Sequence, residues 1–191
     1  MKVVAFNGSA RKDGNTAIMV RTVLRVLEEA GIQTELIQLA EKDISGCKAC
    51  YGCVKKKNGK CAVAKDDLNE MLNRMVEADG IILASPTYFA DVTSGMKALI
   101  DRCGMVSRAN GDLLKRKVGA AIVVARRGGA IHAFDSMNHF FLIGQMIVVG
   151  SNYWNMGFGL NIGEVNADQD GLNTMRVLGE NMAWLLNRLS A

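Results

Sequence analysis

The chain has 191 residues, 49% hydrophobic and 22% charged, with one proline and a formal net charge of +4. That is enough for one domain with a real core, and the composition excludes a disordered or collagen-like chain. The mild charge and the 6% of aromatics, which do not alternate with basic residues, leave nucleic-acid binding without support.

Val3 to Phe6 is a short apolar run that reads as a first strand and ends in the loop NGSARKDGN. The run is too short for a signal-peptide core, and no stretch approaches the roughly 18 apolar residues of a membrane span. A cytoplasmic protein with no membrane partner is expected. Asn15 or Thr16 is expected to cap a helix that buries Ala17, Val20, Leu24 and Leu27 and stops at Gly31. Thr34 to Leu39 alternates as a second strand, and a cysteine-rich insertion at about 44–65 follows as an irregular loop. Asp66 or Asp67 then caps a helix with Leu68, Met71, Leu72 and Met75 inward.

GIILAS, KVGAAIVVA and QMIVVG read as the third, fourth and fifth strands, apolar on both faces, as in parallel sheets covered on both sides. Helices fall near 94–107, 131–145 and 170–189, the last with Leu172, Met175, Leu178, Met182, Leu185, Leu186 and Leu189 at helical spacing. The methionines and Trp184 read mainly as core. The alternation predicts a single α/β domain over residues 1–191, a doubly wound five-stranded parallel sheet with helices on both faces. Ligands of such sheets sit at the carboxyl ends of the strands, near the switch point. Three loops fall there, at 7–15, 85–94 and 126–131.

In the first loop, Ser9, Asn15 and Thr16 offer hydrogen bonds, Arg11 a charged fork, and the helix start free N–H groups. That combination suits a phosphate. The loop lacks the GK[ST] of a Walker motif and the G-x-G-x-x-G of a dinucleotide fold, so a mononucleotide phosphate fits better. A merely capped polar turn is the competing reading. In the second loop, Pro86, Thr87, Tyr88 and Phe89 can border a flat ring, against the alternative of a surface turn with a buried aromatic. In the third, Gly128 and Gly129 permit close approach of the backbone and Arg126 and Arg127 can meet an electron-rich edge. Its alternative is a tight turn with solvated charges. Three such loops after strands one, three and four point together to a ligand.

GSARKDGNT, SPTYF and ARRGG, in this order, resemble the NADPH-dependent FMN reductase branch of the flavodoxin-like flavoproteins, and the resemblance covers most of the chain. It implies FMN, with Ser9, Arg11, Asn15 and Thr16 around the phosphate and Pro86, Thr87, Tyr88 and Phe89 along the isoalloxazine. Arg126 to Gly129 would approach its far side. That family usually has proline where Ala10 stands, a departure that loosens the loop. The resemblance also implies a homodimer or homotetramer with flavins close to subunit interfaces. Trp154 and Phe158 would pack at such an interface or cover a neighbour's flavin.

Four of the five cysteines lie between positions 47 and 61, in the pattern C-x2-C-x2-C-x7-C. A thiol-reducing compartment argues against disulfides. Cys47, Cys50 and Cys53 have the spacing that wraps a cubic iron–sulfur cluster, with a fourth ligand further along at Cys61. Zinc sites use two separated C-x2-C knuckles instead. The motif, with the acidic pair Asp66 and Asp67 after it, resembles the iron-sulfur flavoproteins, which implies a [4Fe-4S] cluster exchanging electrons with FMN. The competing expectation is a cluster-free loop of free or redox-active thiols. Cys103, beside Met96, Leu99 and Ile100, is expected in the core. His132 and His139 share a helix face, where a solvated surface or a subunit contact is preferred over a metal site or an acid–base pair.

The expected function is an FMN-dependent oxidoreductase of the iron-sulfur flavoprotein type. Electrons would come from ferredoxin or NAD(P)H and pass to a small-molecule acceptor such as a quinone or an oxygen species. One alternative is an NAD(P)H-dependent FMN or quinone reductase without a cluster. Another is a thiol-based redox-sensing binding module. The leading reading needs no general acid or base from the protein, because the flavin carries the chemistry.

Overall fold

A computed structural model describes residues 1–63 and 65–190. Ala64 and Ala191, both within the expected domain span, lie outside the described residues. The elements run β1 (Lys2–Asn7), α1 (Asn15–Glu29), β2 (Gln33–Gln38), α2 (Gly52–Lys56), α3 (Leu68–Glu77) and β3 (Gly80–Pro86). They continue with α4 (Ser94–Ala109), β4 (Val118–Ala125), α5 (Ala130–Ile143), β5 (Ile147–Val148), β6 (Met156–Phe158) and α6 (Gln169–Leu189). Short 3-10 turns at Leu39–Glu41 and Glu164–Ala167 complete the regular structure.

The strands pair in parallel in the order β2-β1-β3-β4-β5, with β6 also beside β4. Alternation along each strand splits the interior into two layers. Val4, Phe6, Ile81 and Leu83 face α3, α4 and α5, where they meet Met71, Met96, Leu99 and Phe140. Val3, Ala5, Ile82 and Ile122 face α1 and α6, where they meet Val20, Leu24, Leu178 and Met182. Strands buried on both faces read as continuous apolar runs, which is why β1, β3 and β4 stand out in the sequence. The order reverses between β1 and β3, so the loops after these two strands open side by side.

The fifth strand departs from the expected QMIVVG. Only Ile147 and Val148 pair there, beside Val118 and Gly119, and a second piece, Met156–Phe158, pairs further along β4 beside Val123 to Ala125. The chain leaves the sheet between them. Asn155, 1% exposed, repairs the ladder: its side chain donates to the Ala121 carbonyl at 3.0 Å and its carbonyl accepts from Val123 N–H at 3.0 Å. Among the described residues the sheet thus has six strands, two of them sharing the fifth position.

The helix starts also differ in detail. Gly14, not Asn15 or Thr16, is the N-cap of α1 and makes no side-chain cap bond. The α3 N-cap is Asp67, whose carboxylate accepts instead from Asp43 N–H at 2.9 Å. Met19, Met71, Met75, Met96, Met137, Met146, Met156, Met175 and Met182 are buried, as expected of core. Trp184 is not: it lies on the outer face of α6 with Arg188 over its ring at 6.0 Å. No helix among the described residues is long and apolar enough to cross a membrane.

Candidate functional site

The β1 loop is shaped by its own polar side chains. Asn7 accepts from Ser9 N–H at 3.0 Å and donates to Gln38 at 2.7 Å, and Gln38 in turn donates to the Ser9 carbonyl. The Ser9 hydroxyl oxygen accepts from Arg11 N–H at 3.1 Å, which leaves its proton free to donate elsewhere. The Arg11 guanidinium reaches the Leu160 carbonyl at 3.0 Å. At the start of α1 the first-turn N–H groups have no partner within the helix, and Gly14 offers no side chain to them.

These residues border an open cleft of about 160 Å³. It brings together Ser9, Arg11, Asn15 and Thr16 from the first loop, Pro86, Thr87 and Tyr88 from the second and Arg126 from the third. Thr87 carries the most telling atom: its Oγ1 is buried with no hydrogen-bond partner among the described residues. A buried hydroxyl without a partner is costly, and this one is available to a group bound in the cleft.

The cleft does not take in every expected residue. Phe89 is fully exposed and, with Ala90, has positive φ, at 45° and 67°. The two residues form a two-residue turn closed by Tyr88 N–H to the Asp91 carbonyl at 2.9 Å. Arg127, Gly128 and Gly129 lie outside the lining. Gly129 instead caps α5 with φ 82°, and a Cβ there would sit 3.1 Å from Thr87 Cγ2, so it backs the second loop.

The fourth wall is one that sequence reasoning did not place. Val124, Gly159 and Leu160 line the cleft. Asn15 holds that wall, donating to the Asn161 carbonyl at 2.8 Å and accepting from Gly163 N–H at 2.8 Å. A Cβ on Gly159 would meet Asn15 Nδ2 at 2.8 Å and Val165 N at 2.9 Å, so only glycine allows this approach. The signal available was the glycine-rich stretch after Trp154.

The cysteine segment borders a second cavity. It contains the short helix α2, where an irregular loop was expected, and Cys53 is buried within it. All five cysteines are free thiols. Cys47, Cys50, Cys53 and Cys61 line one cavity of about 240 Å³, whose far wall includes Met105 and Val106 of α4. Ala49 and Tyr51, between the cysteines, have positive φ, at 49° and 53°, which costs energy in a non-glycine residue. Gly52 is forced by space, since a Cβ there would lie 2.4 Å from Ala62 Cβ. Among the described residues no three His, Cys, Asp or Glu are grouped as ligands of a single metal ion.

Arg102 backs this cavity and was not singled out from the sequence. It is 1% exposed and pairs with Asp66, whose side chain is 7% exposed. Burial pushes the Asp66 carboxyl up, but hydrogen bonds from Arg102 and Ser45 outweigh it and hold the group at about 2. Leu99, Arg102, Cys103 and Val106 are all buried, at the i, i+3, i+4, i+7 spacing of an inward face. A cation on that face was the signal. Cys103 is fully buried in the core as expected, and burial pushes its thiol up. His132 and His139 are both exposed, with His132 3.5 Å from Asp91.

The NADPH-dependent FMN reductase family model matches residues 1–161. An iron-sulfur flavoprotein of Methanocaldococcus jannaschii is 43% identical over 190 residues, covering 96% of each chain. RosB, solved with the bound intermediate 8-demethyl-8-formylriboflavin-5'-phosphate, aligns with a TM-score of 0.78 at 19% identity over 100% of this chain and 80% of its own. A flavodoxin from the domain Archaea aligns with a TM-score of 0.65 at 16% identity over 98% and 99%. The chain belongs to the NADPH-dependent FMN reductase family, groups there with the iron-sulfur flavoproteins, and is an FMN-dependent oxidoreductase of flavodoxin-like fold.

Proposed function

We propose that the chain holds FMN in the strand-end cleft and one [4Fe-4S] cluster on Cys47, Cys50, Cys53 and Cys61, and carries electrons between a reduced donor and a small-molecule acceptor. The observation that carries this reading is the pair of sites itself. A cleft with an unpartnered buried hydroxyl lies at the switch point, and a separate cavity is lined by all four clustered cysteines.

The cleft suits FMN. Ser9, Arg11, Thr16 and the α1 N-terminus supply donors for its phosphate, while Asn15 braces the opposite wall. Pro86, Thr87 and Tyr88 border the place for the ring, and the Thr87 hydroxyl supplies a hydrogen bond there. Arg126 stands at its edge. Gly129 backs that wall from outside the lining, while Phe89, Arg127 and Gly128 stand away from it. The flavin, when bound, accepts two electrons and releases them together or singly.

The cysteine cavity suits a cubane better than a single ion. Each thiolate of a cubane binds a different iron, so the four sulfurs need not converge on one point. Four cysteines around one cavity match that arrangement. The strained Ala49 and Tyr51 are the kind of cost that functional loops retain. The cluster, when bound, exchanges one electron at a time. A flavin-only reductase with free thiols is the second reading, favoured by the exposure of Cys47 and Cys50.

The family points to a nicotinamide donor, and reduced ferredoxin is the donor that a cluster would add. A quinone or an oxygen species is the proposed acceptor. Exposed Tyr153, Trp154, Phe158 and Ile162 support a homodimer or homotetramer, and a cytoplasmic setting, where thiols stay reduced, suits the proposed cluster ligands. Anaerobic mixing of the FMN-loaded protein with NADPH, NADH or reduced ferredoxin tests the reading. At least one donor is expected to bleach the flavin absorption. A flavin that none of the three reduces would contradict it.

A further inference from the structure

Arg102 lies on the buried face of α4, and nearly all its donors are engaged. Nη1 donates to the Ser45 carbonyl at 2.9 Å and to Asp66 Oδ2. Nη2 donates to Asp66 Oδ1 at 3.1 Å, to the Val63 carbonyl at 2.8 Å and to Cys61 Sγ at 3.2 Å. One side chain thus ties α4 to the chain just before the first clustered cysteine and to the chain from the last one onward. Burying a guanidinium is tolerated only when its donors are met and its charge is balanced, and Asp66 supplies that balance.

We propose that Arg102 is a positioning residue that fixes the Cys61 sulfur and tunes the cluster's reduction potential through this hydrogen bond, with Asp66 as its counterweight. The proposal rests on the reading that Cys61 is a cluster ligand. Hydrogen bonds to the sulfurs and local charge set the potentials of such clusters. An added electron makes the cluster and its thiolates more negative. A cationic donor on one thiolate favours that state, and a nearby carboxylate disfavours it. The two residues therefore act in opposite directions on the potential, although both belong to one structural pair.

That opposition separates tuning from mere support. A purely structural pair would show the same defect whichever partner is changed. Arg102→Gln removes the cation and is expected to lower the potential. Asp66→Asn leaves Arg102 on Cys61 without its balancing charge and is expected to raise it. Arg102→Lys keeps the charge but loses the planar fork, so it should fall between wild type and Arg102→Gln.

The test is an anaerobic redox titration of FMN-loaded, iron- and sulfide-reconstituted protein, followed by visible absorbance and electron paramagnetic resonance. Iron and FMN are counted in each sample. The expected result is an approximately tenfold change in the reduced-to-oxidised ratio at fixed potential, about 59 mV for one electron, downward for Arg102→Gln and upward for Asp66→Asn. Arg102→Gln that keeps FMN but holds no iron also supports the positioning role, because FMN reports an intact fold. Loss of FMN and iron together would reduce Arg102 to a folding role and overturn the proposal. Unchanged potentials, or shifts of the same sign in Arg102→Gln and Asp66→Asn, would overturn it while leaving the cluster reading intact. Wild-type protein that takes up no iron would remove the cluster reading and the proposal with it.

Discussion

The hydroxyl of Thr93 donates to the Gly8 carbonyl at 2.9 Å and accepts from Met96 N–H at 3.3 Å. One side chain therefore caps α4 and ties the second loop of the cleft to the first. The fit is close: a Cβ on Gly8 would lie 2.9 Å from Thr93 Oγ1. Thr93→Val keeps the shape and removes both bonds. Its stability is expected to fall by about 1–2 kcal/mol, the scale of a lost cap, read as a lower urea midpoint with an unchanged slope.

Thr87 gives a prediction of opposite sign in the empty and loaded states. Among the described residues its hydroxyl is buried without a partner. Replacing an unmet buried group by an apolar one of the same shape is neutral or stabilising. Thr87→Val should therefore leave the FMN-free protein as stable as wild type or more so. Its affinity for FMN should fall about fivefold, the equivalent of one lost hydrogen bond of about 1 kcal/mol. Calorimetric FMN titration and thermal melts of the same two samples check both halves.

Arg11 separates the phosphate from the ring. Charge-assisted bonds to phosphate contribute about 1.5–3 kcal/mol. Arg11→Ala should weaken FMN binding by roughly 10- to 100-fold, whereas riboflavin, which has no phosphate, should bind nearly as before. Fluorescence titrations with both flavins measure this, and an equal loss for both would remove Arg11 from the phosphate.

The Asp66 carboxyl, held at about 2 in the folded chain, sets an acid limit. An unfolded aspartate titrates near 3.9. Because the folded value is the lower one, the stabilisation is complete above about pH 4 and is lost as the pH falls toward 2. Denaturation midpoints of the cluster-free protein should drop across that window, and Asp66→Asn should flatten that part of the profile.

The sheet and the cleft were legible because their signals are local. Each of β1, β3 and β4 is an apolar run, and each loop begins where its run stops, so Ser9, Thr87 and Arg126 fall at one end of the sheet on the sequence pattern alone. The wall at Gly159 and Leu160 was not legible. Met156–Phe158 is only three residues long, and what makes it a strand is pairing with β4 more than thirty positions earlier. Phe89 was grouped with Tyr88 by sequence adjacency, but the turn at Phe89 and Ala90 carries it out of the cleft. Trp184 was read as core from its hydrophobicity, while Ala183 and Leu186 are the buried residues on its stretch of α6. Arg102 was not singled out because its partner Asp66 lies 36 positions away along the chain.

On the proposed reading one chain carries two separate redox sites, a flavin cleft and a four-cysteine cluster site. The most direct measurement is a count of FMN and iron per chain after anaerobic reconstitution with iron and sulfide, on wild type beside Cys50→Ala and Cys103→Ala. Wild type and Cys103→Ala are expected to hold one FMN and about four irons, the content of a Cys₄ cubane. Cys50→Ala should keep its FMN and lose the iron together with the broad brown absorption. Wild-type protein that holds one FMN and no iron under these conditions would contradict the claim.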